Sequence, residues 1–174
     1  MSKKTLYNGK LLPDYVFGGN DLHYLFFEFD FIFTNGFWKI LVPYLEAHSI
    51  SRLALEDKNL KQGSFYKEVP VKNFQALFNE NTYKVGPLGG FSLKTAIYMV
   101  TDRALLFAPE DPRLFCLFLD RNYWLCLFAT TDRDSLRVFK SHCIKNPAEY
   151  LSTHFTGDSL PDNFLEKLKA NYKW

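Results

Sequence analysis

Leu114-Phe115-Cys116-Leu117-Phe118-Leu119, then Asp120-Arg121-Asn122, then Tyr123-Trp124-Leu125-Cys126-Leu127-Phe128-Ala129, is the stretch on which the fold turns. Two apolar runs separated by a short polar break have hairpin spacing, so they read as antiparallel neighbours. A strand with one wet face alternates polar and apolar side chains. Leu114–Leu119 and Trp124–Ala129 are apolar at every position, so both of their faces need cover. Taking 120–122 as the loop pairs Leu119 with Tyr123, and the same register sets Cys116 opposite Cys126. Working outward, Ser92–Thr101, Ala104–Ala108, Arg113–Leu119 and Tyr123–Thr130 are four strands parted by Thr101-Asp102-Arg103, Pro109-Glu110-Asp111-Pro112 and Asp120-Arg121-Asn122. They predict an antiparallel meander. Helices cover one side of it, and the other side needs a second layer or another chain.

Upstream, Leu22–Phe33 has a period of two. Its odd positions from Leu25 to Phe33 are all apolar, while Glu28 and Asp30 share the even face with Tyr24 and Phe26. That predicts one strand with a buried odd face. Thr34 or Asn35 can cap a helix running to about His48, with Phe37, Ile40, Leu41, Tyr44 and His48 on one stripe. Pro43 inside that run predicts a kink or a late start. Ile50–Leu55 reads as a short strand and Pro70–Asn79 as a second helix opened by its proline. Toward the end, Asp132 or Asp134 opens a helix near Ser135–His142, and Ser159-Leu160-Pro161-Asp162 resembles a capping box before Phe164, Leu165, Leu168 and Tyr172. The whole predicts a single α+β domain over residues 1–174. Its antiparallel β-meander sheet is packed with several helices as a single layer pair.

Composition narrows the class. The chain has 174 residues, 21 Lys and Arg against 19 Asp and Glu, and 18 Phe, 10 Tyr and 3 Trp. The apolar and charged fractions, 47% and 23%, exclude a disordered chain, a collagen-like fibre and a coiled coil. A pI near 8.3 falls short of the basic footprint of a nucleic-acid binder. So many rings supply a core without metals or disulfides, and leave some over for a partner surface. Three cysteines without CxxC spacing, no leader-like opening and no apolar run of membrane length predict a cytoplasmic protein that makes no membrane contact.

The candidate chemistry is thin. Gly86-Pro87-Leu88-Gly89-Gly90 lacks the Lys-Ser/Thr of a P-loop and reads as a turn, as does Gly18-Gly19-Asn20-Asp21. Cys116 and Cys126 lie in all-apolar strands, where burial suppresses thiolate chemistry, and read as two buried free thiols. His142 and Cys143, adjacent near a helix end, do not face each other. His23, His48, His142 and His154 are isolated, without the spacing of metal ligands. Glu28 and Asp30, roughly 6.6 Å apart along a strand, lack the Arg, His or Asn neighbours of an acid/base pair. The sequence thus predicts neither catalytic residues nor a cofactor nor a metal, and points to a binding protein. The alternative is a small enzyme or ligand-binding domain with a pocket between sheet and helices.

Phe33-Thr34-Asn35-Gly36-Phe37-Trp38-Lys39-Ile40-Leu41 followed by Ser51-Arg52-Leu53-Ala54-Leu55 resembles the opening of many small bacterial immunity proteins. The later pattern Ile97-Tyr98-Met99-Val100-Thr101-Asp102-Arg103, Leu114–Leu119 and Tyr123-Trp124-Leu125 is similar too. The resemblance is one of pattern, over about Leu22–Lys140, to the immunity proteins of polymorphic-toxin and contact-dependent inhibition systems. It implies a cytosolic inhibitor that binds one cognate toxin domain, often a nuclease. Such inhibitors of basic nucleases are frequently acidic, whereas this chain is slightly basic. From Leu11 to Glu46, however, the only base is Lys39, set against Asp14, Asp21, Glu28, Asp30 and Glu46. On that reading Tyr24, Glu28 and Asp30 face the toxin, Asp14 and Asp21 extend the acidic patch, and Tyr123 or Trp124 is a ring anchor near a hairpin tip. Nucleic acid is disfavoured as a partner. A homodimer through the doubly apolar hairpin is a third option.

Overall fold

The structure is a computed structural model that describes residues 6–58, 66–73, 83–84, 90–91, 102–155 and 159–173. Its centre is a six-stranded, fully antiparallel sheet. In chain order the strands are β1 (His23–Glu28), β2 (Arg52–Asp57), β3 (Tyr66–Pro70), β6 (Arg103–Phe107), β7 (Cys116–Asp120) and β8 (Leu125–Thr130). They lie in the order β1-β8-β7-β6-β2-β3, with β4 (Tyr83–Lys84) and β5 (Gly90–Phe91) forming a separate pair. The fold is α+β. The meander β6-β7-β8 is as predicted, while the strand expected at 92–101 lies outside the described residues. So does the Pro70–Asn79 helix beyond residue 73, of which 71–73 are helical.

Side-chain alternation sorts the sheet into two faces. Leu53, Leu55, Ala104, Leu106, Leu117, Leu119, Cys126 and Phe128 point into one core, under α1 (Asn35–Ala47) and α2 (Leu136–Phe139). Ala54, Leu105, Phe107, Cys116, Phe118, Leu125, Leu127 and Ala129 point into the other. That second core is closed by Leu12, Val16 and Phe17 of the N-terminal segment, by α3 (Pro147–His154) and by α4 (Phe164–Asn171). The all-apolar runs have their physical cause here. The second layer comes from the same chain, so the sheet takes part in two layer pairs where one was expected. Every residue of β7 and β8 is buried, which leaves neither face of that hairpin for a second copy.

The strand predicted over Leu22–Phe33 stops at Glu28, and Phe29–Phe33 is a 3-10 helix. Its partner runs out at that point. Glu28 lies opposite Leu125, the first residue of β8, and Phe29 N–H closes the last rung on the Trp124 carbonyl at 2.9 Å. With no further ladder to satisfy its backbone, the chain coils, and Phe29 and Ile32 are buried at a spacing of three. α1 starts where expected, with Thr34 Oγ1 accepting the Phe37 N–H at 3.3 Å, and it runs through Pro43 without a late start.

The hairpin register also differs. Asp120 pairs with Leu125, so the turn is 121–124, Cys116 lies opposite Ala129 and Leu119 opposite Cys126. The two thiols therefore point to opposite faces, and both are free and buried. Asp120 belongs to the strand because Arg103, directly opposite on β6, holds its carboxylate through Nε at 3.1 Å. Trp124 closes the turn at φ +52°, its N–H on the Arg121 carbonyl at 3.2 Å. The helix expected to be capped from 159–162 starts later, at Phe164. Asn163 precedes α4 in the left-handed region without a side-chain cap bond. A side-chain cap is in place at α3, where Asn146 Oδ1 accepts the Glu149 N–H and its amide donates to the Glu149 carboxylate, both at 3.2 Å.

Candidate functional site

The residues predicted to meet a partner do not form one patch. β1 spans five residue steps, roughly 17 Å, and it separates them into two groups. At its far end lie Glu28 and Asp30, both exposed, with Trp124, whose side of the ring packs edge-on to Phe29 at 5.6 Å. Tyr150 joins them, its hydroxyl donating to the Trp124 carbonyl at 3.3 Å. Burial raises the Tyr150 phenol, with the charges of Glu28 and Asp30 adding to the shift. Glu28 and Asp30 sit on a strand end and a 3-10 helix, not two residues apart on one strand face. Trp124 is 38% exposed at the turn. Tyr123 is half-buried, packed on Phe164 at 4.6 Å and Phe155 at 6.1 Å.

At the near end lie Asp14, Asp21 and Tyr24. Asp14 is exposed and offers its backbone carbonyl to Tyr172. Tyr24 is half-buried and meets Tyr172 edge-on at 5.1 Å. Asp21, at φ +69°, turns the chain into β1. Asp21 and Tyr24 line an open groove of about 1050 Å³ that runs along the outer edge of β1. Its other charged lining residues are Lys10, Arg133, Lys140, Lys145 and Lys173. The bases come from four separate parts of the chain, so their convergence beside one strand is not visible in the sequence. An acidic patch was expected here, and the groove is cationic instead. His23 and Cys143 line it as well, without metal-ligand company among the described residues.

A second polar cluster ties α1 to the strand β8 and the turn that follows it. His48 places Nδ1 at 2.8 Å from the Tyr44 carbonyl and Nε2 at 2.8 Å from Asp132 Oδ2. Ser135 Oγ donates to that same Asp132 oxygen. Tyr44 donates to the Leu114 carbonyl at 2.5 Å, so Thr130 Oγ1, 3.0 Å away, donates to the phenol oxygen. Burial pushes the Tyr44 phenol up to about 12. Ser, His and Asp together invite comparison with a nucleophile triad, but that chemistry needs the imidazole between hydroxyl and carboxylate. Here the carboxylate is in the middle and both ring nitrogens are engaged, so no base faces Ser135. The cluster is a structural tie.

That tie has a pH signature. The Ser135 hydroxyl, foremost, holds Asp132 below its ordinary value of 3.8, with backbone and His48 bonds assisting. A carboxylate with a lowered folded-state value stabilises the fold above its unfolded value and loses that contribution as pH falls through the folded one. Urea unfolding should therefore show Asp132→Asn less stable than the parent at pH 6, with the gap closing below about pH 4. A gap of constant size would mean that the Asp132 charge is not what matters.

The remaining nucleophile candidates are quiet. Burial raises both Cys116 and Cys126 far above the ordinary thiol range. Cys143 donates to the Lys140 carbonyl at 3.3 Å, and its neighbour His142 stacks on Phe31 at 5.2 Å, away from it. No described helix is long and apolar enough to cross a membrane. No protein-family model, curated protein or solved structure matches the chain.

Proposed function

We propose that this protein is a cytosolic immunity-type inhibitor that binds a cognate bacterial toxin domain through its surface and has no catalytic centre of its own. The observation that carries binding over catalysis is the groove beside β1. It is open, runs along the edge of the sheet, and gathers five cations against the carboxylate of Asp21. Both faces of the sheet are filled by its own chain. The pattern resemblance to immunity proteins supplies the biological class. A cationic groove fits an acidic segment of the toxin, whether or not that toxin is a nuclease. A small anionic ligand in the same groove is the alternative that the converging cations favour.

The test is co-expression with the protein encoded beside this one. Co-purification and restored growth support the reading. A neighbour that is harmless alone and does not co-purify contradicts it. Glu28→Lys with Asp30→Lys should weaken that complex at low salt and less so at high salt, since exposed charges are screened. Unchanged affinity at low salt removes the far end of β1 from the interface.

A further inference from the structure

β1 is an edge strand, and its ladder parity can be read from two bonds. Phe29 N–H donates to the Trp124 carbonyl in the β1–β8 register, which makes the odd residues of β1 the ones that bond β8. Ile144 N–H donates to the Phe26 carbonyl at 2.7 Å from the opposite side, so even residues turn their backbone outward. By that parity Tyr24 points its N–H and C=O into the groove, and no described segment pairs with them there. The segment at Ile144 caps the edge at Phe26 and ends the open stretch.

Around this open edge stand Lys10, Arg133, Lys140, Lys145 and Lys173, against one side-chain carboxylate among the described residues, that of Asp21. None of the five makes an ion pair among the described residues. Apolar side chains line the same recess, among them Phe17, Leu22 and Leu136. Strand backbone that no described residue pairs, apolar lining and a cationic wall together define an occupant.

We infer that the groove binds an extended acidic peptide segment of a partner protein, which adds as a strand to β1 at Tyr24. A peptide backbone supplies both the acceptor for the Tyr24 N–H and the donor for its carbonyl, and acidic side chains meet the lysines. A phosphodiester backbone supplies only acceptors and would leave the carbonyl unpaired, which is why a peptide is favoured over nucleic acid. The inference deepens the binding reading and rests on it.

The experiment titrates the full chain with a capped decapeptide of alternating Glu and Val, reading backbone amide shifts by NMR. Parallel titrations use the Lys/Val peptide, an N-methylated Glu/Val peptide that lacks backbone donors, and a ten-residue oligothymidylate. The expected result is shifts centred on Leu22–Leu25 with the Glu/Val peptide alone, weakened about tenfold by Lys140→Glu with Lys145→Glu. Both lysines are exposed, and an unchanged amide spectrum elsewhere confirms that this variant folds. The inference is overturned by the absence of shifts at these amides up to about 1 mM peptide, by equal binding of the N-methylated peptide, or by tighter binding of the oligonucleotide there. Peptide binding does not depend on whether the neighbouring protein is a toxin. A failed growth rescue with intact peptide binding would therefore reject the immunity role and leave the groove standing.

Discussion

Replacing Tyr172 by alanine is expected to cost about 3–5 kcal/mol of folding stability, the range for deleting a large buried aromatic side chain. Tyr172 follows α4 and is 1% exposed. Its hydroxyl donates to the Asp14 carbonyl at 2.7 Å and accepts the Val16 N–H at 2.9 Å, across more than 150 residues of sequence. The ring meets Tyr15, Tyr24 and Phe26 at centroid distances of 5.5, 5.1 and 5.4 Å. One residue therefore fastens the N-terminal segment and the C-terminal helix onto the same face of the sheet. Burial raises its phenol well above the ordinary range. Tyr172→Phe separates the two contributions. It keeps the packing and strands the Val16 N–H, for a loss of about 1–3 kcal/mol. Urea denaturation measures both. A Tyr172→Ala variant within about 0.5 kcal/mol of the parent would mean that the N-terminal segment is not seated as described.

Asp120→Ala is the second large effect. The carboxylate is fully buried, with Arg103 Nε at 3.1 Å and the Asn122 N–H at 3.0 Å. Burial pushes Asp120 up, while the charge of Arg103 and these hydrogen bonds pull the other way. Removing one partner of a buried pair leaves the guanidinium, 22% exposed, without its counter-charge, at a cost of about 3–5 kcal/mol. It also frees the turn at 121–124, whose Asn122 N–H the carboxylate holds. Arg103→Met combined with Asp120→Leu should recover part of the loss, because the stranded charge is gone too. Thermal and urea unfolding of the two single variants and the double variant read the coupling directly. Additive losses would show that the two side chains act independently.

How much was legible follows from the range of each signal. The meander was legible because runs that are apolar throughout can only be central strands covered on both sides. Thr34 was legible as a cap because its bond to Phe37 is local. The hairpin register was not: Asp120 looks like a turn residue until Arg103, seventeen positions away on the neighbouring strand, is placed opposite it. β1 was overextended for a related reason. Phe29, Phe31 and Phe33 continue the alternation, and only the end of β8 tells the chain to coil. α3 was missed because it buries little beyond Pro147 and Leu151 and so carries no apolar stripe. Of the seven partner residues expected, Tyr24 and Asp21 lie in the groove, while Asp14 stands nearby and Trp124, Glu28 and Asp30 gather at the other end of β1. Tyr123 is half-buried against Phe164 at the rim of the second core. The groove could not be foreseen, since its five cations converge only after two termini and the α2 region meet beside one strand.

The account stands on a stretch of sheet edge at Tyr24 that no described residue pairs, and amide hydrogen exchange of the free protein reads it residue by residue. Tyr24 should exchange orders of magnitude faster than Leu25 and Phe27, whose amides face β8. Equal, slow exchange at all three would mean that the edge is already covered and that the groove is no docking site.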